Sequence, residues 1–274
     1  MNLSNVKLVV TDMDGTLLKS NHEVSSLFFD LFKKLKRHNI LFVAASGRPL
    51  YGILDKLNLI KDDIIIVAEN GALAIENDIV LLSTAFENES LFTIAKLLNS
   101  LPESNAVYCT KNCAYTDSKS EKLLLLLNEF YKNYKTVDSI HDVTEPIYKI
   151  ALYHEISSEK HLYPYLKHLE DNFKVKVSAN HWVDISESNA NKGHAINLIQ
   201  KMHNISRDET LVFGDYNNDL EMLDVAYFSY AMENAHPLVK SSANFMTTSN
   251  NNFGVESILK LLIKEKNVLT SSND

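Results

Sequence analysis

Two cysteines in 274 residues, Cys109 and Cys113, are all the thiols this chain has. Spaced C-x3-C with no matching Cys or His pair nearby, they make neither a disulfide framework nor a structural zinc site, and both read as reduced structural thiols. Long apolar runs are missing as well. Residues 64–68 and 123–127 are typical, far short of the roughly 20 needed to span a bilayer. Positive charge is also scarce: Lys and Arg number 27 against 35 Asp and Glu, a net charge of -8. Nucleic acid and anionic lipid demand a positive stripe that displaces counterions, so neither is an expected partner. Residues 1–11 hold one Lys and no apolar stretch of signal length, so they read as an immediate first strand and the expected address is the cytoplasm. Glycine is rare too, seven in the chain, where about 7% is usual. Five of the seven, Gly15, Gly47, Gly71, Gly193 and Gly214, lie beside apolar runs in segments that also carry Asp, Ser, Asn or Lys. Such sparing use points to tight turns or close approach to a ligand.

What is present is a rhythm. Residues 6–11 form a β-branched run that reads as a buried strand stopped by Asp12. Residues 25–38 place Leu27, Leu31 and Leu35 on one i, i+4 row beside Phe28 and Phe32, an amphipathic helix. Strand-like residues 40–45 end at Ser46-Gly-Arg-Pro49, a two-turn helix runs toward Leu57, and residues 64–68 make a third buried run ending at Glu69-Asn70-Gly71. Strand, helix, strand, helix, strand predicts a parallel sheet with covering helices. After a hairpin around residues 76–78 the pattern changes: helices are expected at 87–100, 119–134 and 158–171, with strands at 106–109, 113–116, 147–153, 173–178 and 182–186. From Asn191 the first rhythm resumes, with helices at 192–202, 217–225 and 254–264, a short helix from Pro237, strands at 210–213, 227–230 and 244–246, and a frayed tail at 271–274. The predicted organisation is one domain of residues 1–83 and 188–274, with a second domain, 84–187, inserted.

Asp12 and Asp14 stand two apart at the carboxyl end of the first run, the edge where open α/β sheets place their ligands. Two such acids resist joint ionisation, so either a metal binds there or one of them holds a proton for acid catalysis. Composition alone favours a plain turn with exposed carboxylates. The company of Ser46-Gly47, Lys192-Gly193 and Gly214-Asp215 at the ends of other core elements tips the reading toward a site.

Four segments, Asp12-Met-Asp-Gly-Thr-Leu-Leu18, Ala45-Ser-Gly-Arg-Pro49, Asn191-Lys-Gly193 and Gly214-Asp-Tyr-Asn-Asn-Asp219, resemble in order the four motifs of the haloacid dehalogenase-like phosphatases. Asn70-Gly-Ala72 before the insert and Ala231-Met-Glu-Asn-Ala235 after the fourth motif resemble the Cof-type subgroup, and residues 67–73 are similar to its bacterial sugar phosphatases. The resemblance implies a fold of the α/β class, a Rossmann-like parallel-sheet core with an inserted α+β cap domain. It implies Asp12 as nucleophile, Asp14 as general acid and base, and Mg2+ as cofactor held by Asp12, the Asp14 carbonyl and Asp215. Asp219 is placed at the metal or its water, or beside Lys192. Ser46, Gly47, Lys192 and Asn218 are expected to bind the substrate phosphate, with Ser46 and Lys192 also catalytic. One departure is Tyr216, where many family members carry a small residue. Arg48 follows the serine motif but is as well explained by an exposed structural role, and stays outside the candidate set.

The resulting expectation is a phosphatase acting on a small phosphorylated metabolite, sugar phosphates first. A phosphosugar mutase and a noncatalytic phosphate- or metal-sensing module remain as alternatives. In the insert, Asn112 and His181 are read as packing or surface residues before substrate contacts, and Tyr108, Tyr115, Tyr148 and Tyr153 as sheet-face packing.

Overall fold

A computed structural model describes residues 2–130 and 133–271. It divides into two compact units: the chain up to Gly47, Ile53–Leu81 and everything described from Asn191 onward; and Arg48–Gly52 with Leu82–Ala190.

The chain opens with β1 (Leu8–Thr11), α1 (Ser26–Arg37), β2 (Leu41–Ala45), α2 (Leu50–Lys56) and β3 (Ile65–Ala68). Ser25 starts α1 by accepting a hydrogen bond from Phe28 N at 3.1 Å, and Lys34, Lys36 and Arg37 gather at its C-terminus, where the helix dipole favours cations. Its buried row is Phe28, Leu31, Phe32 and Leu35, packed on Phe42 of β2. The hairpin of β4 (Leu73–Glu76) and β5 (Ile79–Ser83) turns on Asn77 and Asp78, both at positive φ, as a two-residue turn matched to strand twist requires.

The second unit contributes α3 (Asn88–Ser100), β6 (Asn105–Thr110), β7 (Ala114–Thr116), α4 (Glu121–Phe130), β8 (Tyr134–Thr136), β9 (Ile147–Tyr153), α5 (Ser158–His161), α6 (Tyr163–Leu166), β10 (Phe173–Ala179) and β11 (Trp182–Glu187). Its sheet runs β10-β11-β9-β6-β7-β8, antiparallel except for the β7/β8 pair. Alternate residues of β6 and β9 feed opposite faces. Tyr108, Ile150 and Leu152 pack with α3, while Val107, Cys109 and Ala151 pack with Leu123 and Leu127 of α4. Both cysteines are free and buried. Two expected helices come out shorter. The one predicted over 119–134 is described over Glu121–Phe130; residues 131–132 lie outside the described part, and Tyr134 already belongs to β8. The one predicted over 158–171 breaks into α5, α6 and a 3-10 turn at Lys167–Asp171, because Pro164 supplies no N–H to continue the ladder.

The chain then returns as α7 (Lys192–His203), β12 (Thr210–Gly214), α8 (Leu220–Asp224), β13 (Phe228–Ala231), α9 (Pro237–Ser242), β14 (Phe245–Met246) and α10 (Gly254–Ser271). Residues 217–219 form a 3-10 turn where helix was expected, α10 runs longer than predicted, and the remainder of the expected tail, 272–274, lies outside the described residues. The main sheet has the order β14-β13-β12-β1-β2-β3-β4-β5, parallel from β14 through β3 and antiparallel between β3 and β4. Strands with both faces covered read as unbroken apolar runs, which is why β1 and β3 are wholly buried. The fold is α/β, a parallel-sheet core, as predicted. Asp12, Ser46, Asn70 and Asp215 follow β1, β2, β3 and β12, four neighbouring strands ending on one edge. Among the described residues no helix is long and apolar enough to cross a membrane.

Candidate active site

The centre of that edge is a buried lysine. Lys192, the first residue of α7, is 0% exposed, and its Nζ donates to Asp12 Oδ1 at 2.5 Å and to Asp219 Oδ1 at 2.7 Å. Asn191 starts the helix by accepting from His194 N at 2.7 Å, which fixes where the lysine departs. Asp12 extends β1 by one residue, donating its N–H to Phe213 O at 3.0 Å. The other oxygen of Asp219 accepts from the backbone N–H groups of Asp215 (2.9 Å) and Tyr216 (3.1 Å), and Thr16 Oγ1 donates to Asp215 Oδ1 at 2.9 Å. Oxygens of Asp12, Asp215 and Asp219 lie within 4.8 Å of one another.

Burial pushes the Asp12 carboxyl well above its ordinary range, and the charges of Asp219 and Asp215 push further against the pull of Lys192. Asp215 is raised to about 6, again by burial first and then by Asp219. For Lys192, burial alone would depress the ammonium, but Asp12 and Asp219 outweigh it and hold the group protonated. Three carboxylates therefore share one ammonium. Hard oxygen donors with an excess of negative charge fit a hard divalent cation.

Two glycines combine a positive φ with no room for a side chain. Gly15 has φ +77, and a Cβ there would fall 2.2 Å from Asp215 Oδ2; Gly71 has φ +98, and its Cβ would fall 2.2 Å from Asn191 O. Between them Asn70, read from the sequence only as part of the subgroup signature, is a hub. Its N–H donates to Ser46 O at 3.0 Å, its Oδ1 accepts from Asn218 Nδ2 at 3.0 Å, and its side chain packs where a Cβ of Gly47 would be. Ser46, Gly47 and Asn218 thus converge through a residue to which the sequence reading gave no role in the site. Thr16 was likewise missed.

Asp14 stands apart. Its side chain is 45% exposed, its carboxylate is not part of the three-acid cluster, and His22 Nδ1 lies 3.6 Å away. Tyr216 is 60% exposed, its ring set edge-on to His236, so its bulk does not enter the cluster. In the second unit, Asn112 Nδ2 donates to Glu145 Oε2 (3.2 Å), as does Thr110 Oγ1 (3.2 Å), while Tyr115 OH donates to Glu145 Oε1 (2.6 Å). That last bond raises the Tyr115 phenol to about 12. His181 donates through Nδ1 to His154 O and accepts at Nε2 from Asn180.

A parallel sheet with an acidic cluster and a buried lysine at its carboxyl edge defines a class. The profile of the haloacid dehalogenase-like hydrolases matches residues 9–259, and the chain belongs to that family, in its Cof-type branch, as an enzyme of the phosphatase kind. Among its relatives is the 5-amino-6-(5-phospho-D-ribitylamino)uracil phosphatase YbjI of Escherichia coli, 30% identical over 95% of this chain and 97% of that protein. A crystal structure from Thermotoga maritima matches with a TM-score of 0.84 at 26% identity, covering 93% of this chain and 97% of that one. A subclass IIB sugar phosphatase shares the fold, with a TM-score of 0.78 at 21% identity, covering 93% and 98%.

Proposed function

We propose that the chain is a Mg2+-dependent phosphatase of small phosphate monoesters, sugar phosphates and phosphorylated polyols first, working through an aspartyl phosphate on Asp12. The observation that carries this reading is the buried Asp12–Lys192–Asp219 arrangement beside Asp215. Asp12, the Asp14 carbonyl and Asp215 would hold the cation. Asp219, whose oxygens already accept from Lys192, Asp215 N and Tyr216 N, serves better to orient the loop and the lysine than as a direct ligand. When bound, Mg2+ supplies positive charge against the phosphate oxygens and the raised carboxylates.

The chain's own residues do the rest. A carboxylate oxygen of Asp12 attacks phosphorus and the ester P–O bond breaks, while the leaving oxygen takes the proton of Asp14. Water then attacks the phosphorus of the aspartyl phosphate, Asp14 takes the water's proton, and phosphate leaves with Asp12 restored. Lys192 pulls Asp12 toward its ionised form and, with Ser46, the Gly47 amide and Asn218, receives the phosphate charge. The second unit acts as a cap that selects the leaving group, the part of the substrate that varies from ester to ester. The relative from Escherichia coli carries a phosphoribityl ester in its name, which adds that class to the panel. The cytoplasm is the proposed site of action, in keeping with two buried free thiols.

The test is release of inorganic phosphate from a panel of phosphorylated sugars, polyols and nucleotides with Mg2+, for the wild type and Asp12→Asn. Turnover lost in the variant supports the reading. Phosphate moved within the sugar instead of released would make the protein a mutase, and metal binding without release from any ester would make it a sensor.

A further inference from the structure

One hydrogen bond at the carboxyl edge joins loops that the sheet itself keeps apart. Asn70 follows β3 and Asn218 lies beyond β12, and in the sheet β1 and β2 run between those strands. Three strand intervals of about 4.8 Å put roughly 14 Å between the strand ends, so only loops that lean toward each other can meet. They do meet: Asn218 Nδ2 donates to Asn70 Oδ1 at 3.0 Å, both residues being half-buried. The local backbone makes that reach possible. Asn70 has φ 56 and stands between Glu69 at 50 and Gly71 at 98, three successive residues in the left-handed region, which Asn tolerates better than most side chains. Its N–H is anchored on Ser46 O at 3.0 Å, and its Oδ1 lies 2.9 Å from where a Cβ of Gly47 would be, space that the glycine leaves open. At the other end, Asn218 sits in the turn Asn217–Asp219, closed by Asp219 N donating to Tyr216 O at 2.9 Å and by the Asp219 carboxylate on the N–H groups of Asp215 and Tyr216.

A primary amide carries two N–H bonds in one plane, and the torsion that turns the plane is broad. With one N–H given to Asn70, the plane of the Asn218 amide is set and its second N–H has a fixed direction. We infer that Asn70 is a positioning residue for Asn218, on the footing of the phosphate-binding part given to Asn218 above: its Oδ1 holds one N–H of that amide so that the other meets a phosphate oxygen with no rotamer left to freeze. A donor fixed before its ligand arrives binds it more tightly, because the ordering entropy has already been lost in folding. Phosphate is an anion before, during and after the reaction, so the effect falls on phosphate affinity, and hence on KM, more than on kcat.

Calorimetric titration of the Mg2+-loaded protein with inorganic phosphate reads that affinity without turnover. Asn70→Gly keeps the left-handed backbone and the N–H to Ser46 while removing the side chain. It should weaken phosphate about fivefold, leave the Mg2+ dissociation constant within about twofold, and raise KM for an alkyl phosphate with kcat within about threefold. Asn70→Ala serves in its place should the paired glycines loosen the fold. Asn70→Asp keeps an accepting oxygen, and comparing variants within that background cancels the repulsion its carboxylate adds. Asn218→Ala should then weaken phosphate about tenfold in the wild type and in Asn70→Asp, where the amide is still held, but only about twofold in Asn70→Gly, where it is already loose. The full tenfold cost in Asn70→Gly, or a cost in Asn70→Asp as small as in Asn70→Gly, would overturn the positioning role. If Asn218→Ala costs nothing in the wild type, Asn218 is no phosphate ligand and the positioning role falls while the phosphatase reading stands. If the Mg2+-loaded wild type binds no phosphate, the reading of the site itself has failed and takes the positioning role with it.

Discussion

Each unit buries a lysine against acid, and the two do it differently. In the second unit, buried Lys149 on β9 acts on half-buried Asp184 on β11; burial raises Asp184, and Lys149 and Ser178 pull it back. In the first unit Lys192 faces Asp12 and Asp219 with Asp215 beside them. In the sheet of the second unit a lysine offsets the burial of Asp184. A cluster of three acids around one lysine is a structure prepared for another cation, and it sits on loops at strand ends while Lys149 and Asp184 sit inside a sheet. The difference separates charge buried for folding from charge buried for chemistry.

The sharpest way to break that contrast is catalysis. Asp12→Asn should lower turnover by about 10⁴-fold or more in single-turnover assays, whereas Asp184→Asn should stay within about threefold of wild type. Comparable losses would erase the distinction. Next comes stability without metal: Lys192→Met leaves several buried carboxylates unpaired and should cost about 3–5 kcal/mol by urea unfolding, and Lys149→Met, which acts on half-buried Asp184, about 1–2 kcal/mol. A reversed ranking would mean the sheet pair is the more demanding of the two.

Metal should then act on one unit only. At about 100 times its Kd, Mg2+ should stabilise the fold by about 2.7 kcal/mol in thermal scans, an effect lost in Asp215→Ala and kept in Asp184→Asn. The smallest expected effect is in pH. Asp215 titrates near 6 in the folded protein, above its unfolded value, so the native state holds the proton more tightly; Asp12 shifts the same way. Metal-free protein should therefore lose stability as pH rises from about 4 to about 6. With Mg2+ the slope should reverse, since ligation needs the carboxylates ionised. Urea midpoints across that range, with and without Mg2+, check the sign.

Much of this was legible in the chain. Runs such as those of β1 and β3 announce a covered parallel sheet, and the acids, serine and lysine at their ends announce a site, because strand burial and loop chemistry are local properties. What escaped depends on side chains meeting across long separations. Asn70 belongs to a segment that resembles the subgroup but carries no charge and was given no role, yet it joins Ser46 to Asn218 across 148 residues to the latter. Glu145 is an ordinary polar residue until folding brings Tyr115 to it. The break at Pro164 was readable from the missing N–H, and the expected helix over 158–171 ran through it.

Gly71 contacts Asn191 with no room for a methyl group between them. Seen from the main sheet, everything from residue 72 to 190, edge hairpin included, is one closed loop tied at its neck. The entropy of closing a flexible loop grows only as the logarithm of its length, about 0.6 kcal/mol for each doubling. A tied neck of this kind leaves the excursion free to lengthen, shrink or be exchanged for another fold at small cost, while the knot itself tolerates no change. Variation in what such a protein selects can accumulate in the loop, and the chemistry at the strand ends need not learn of it.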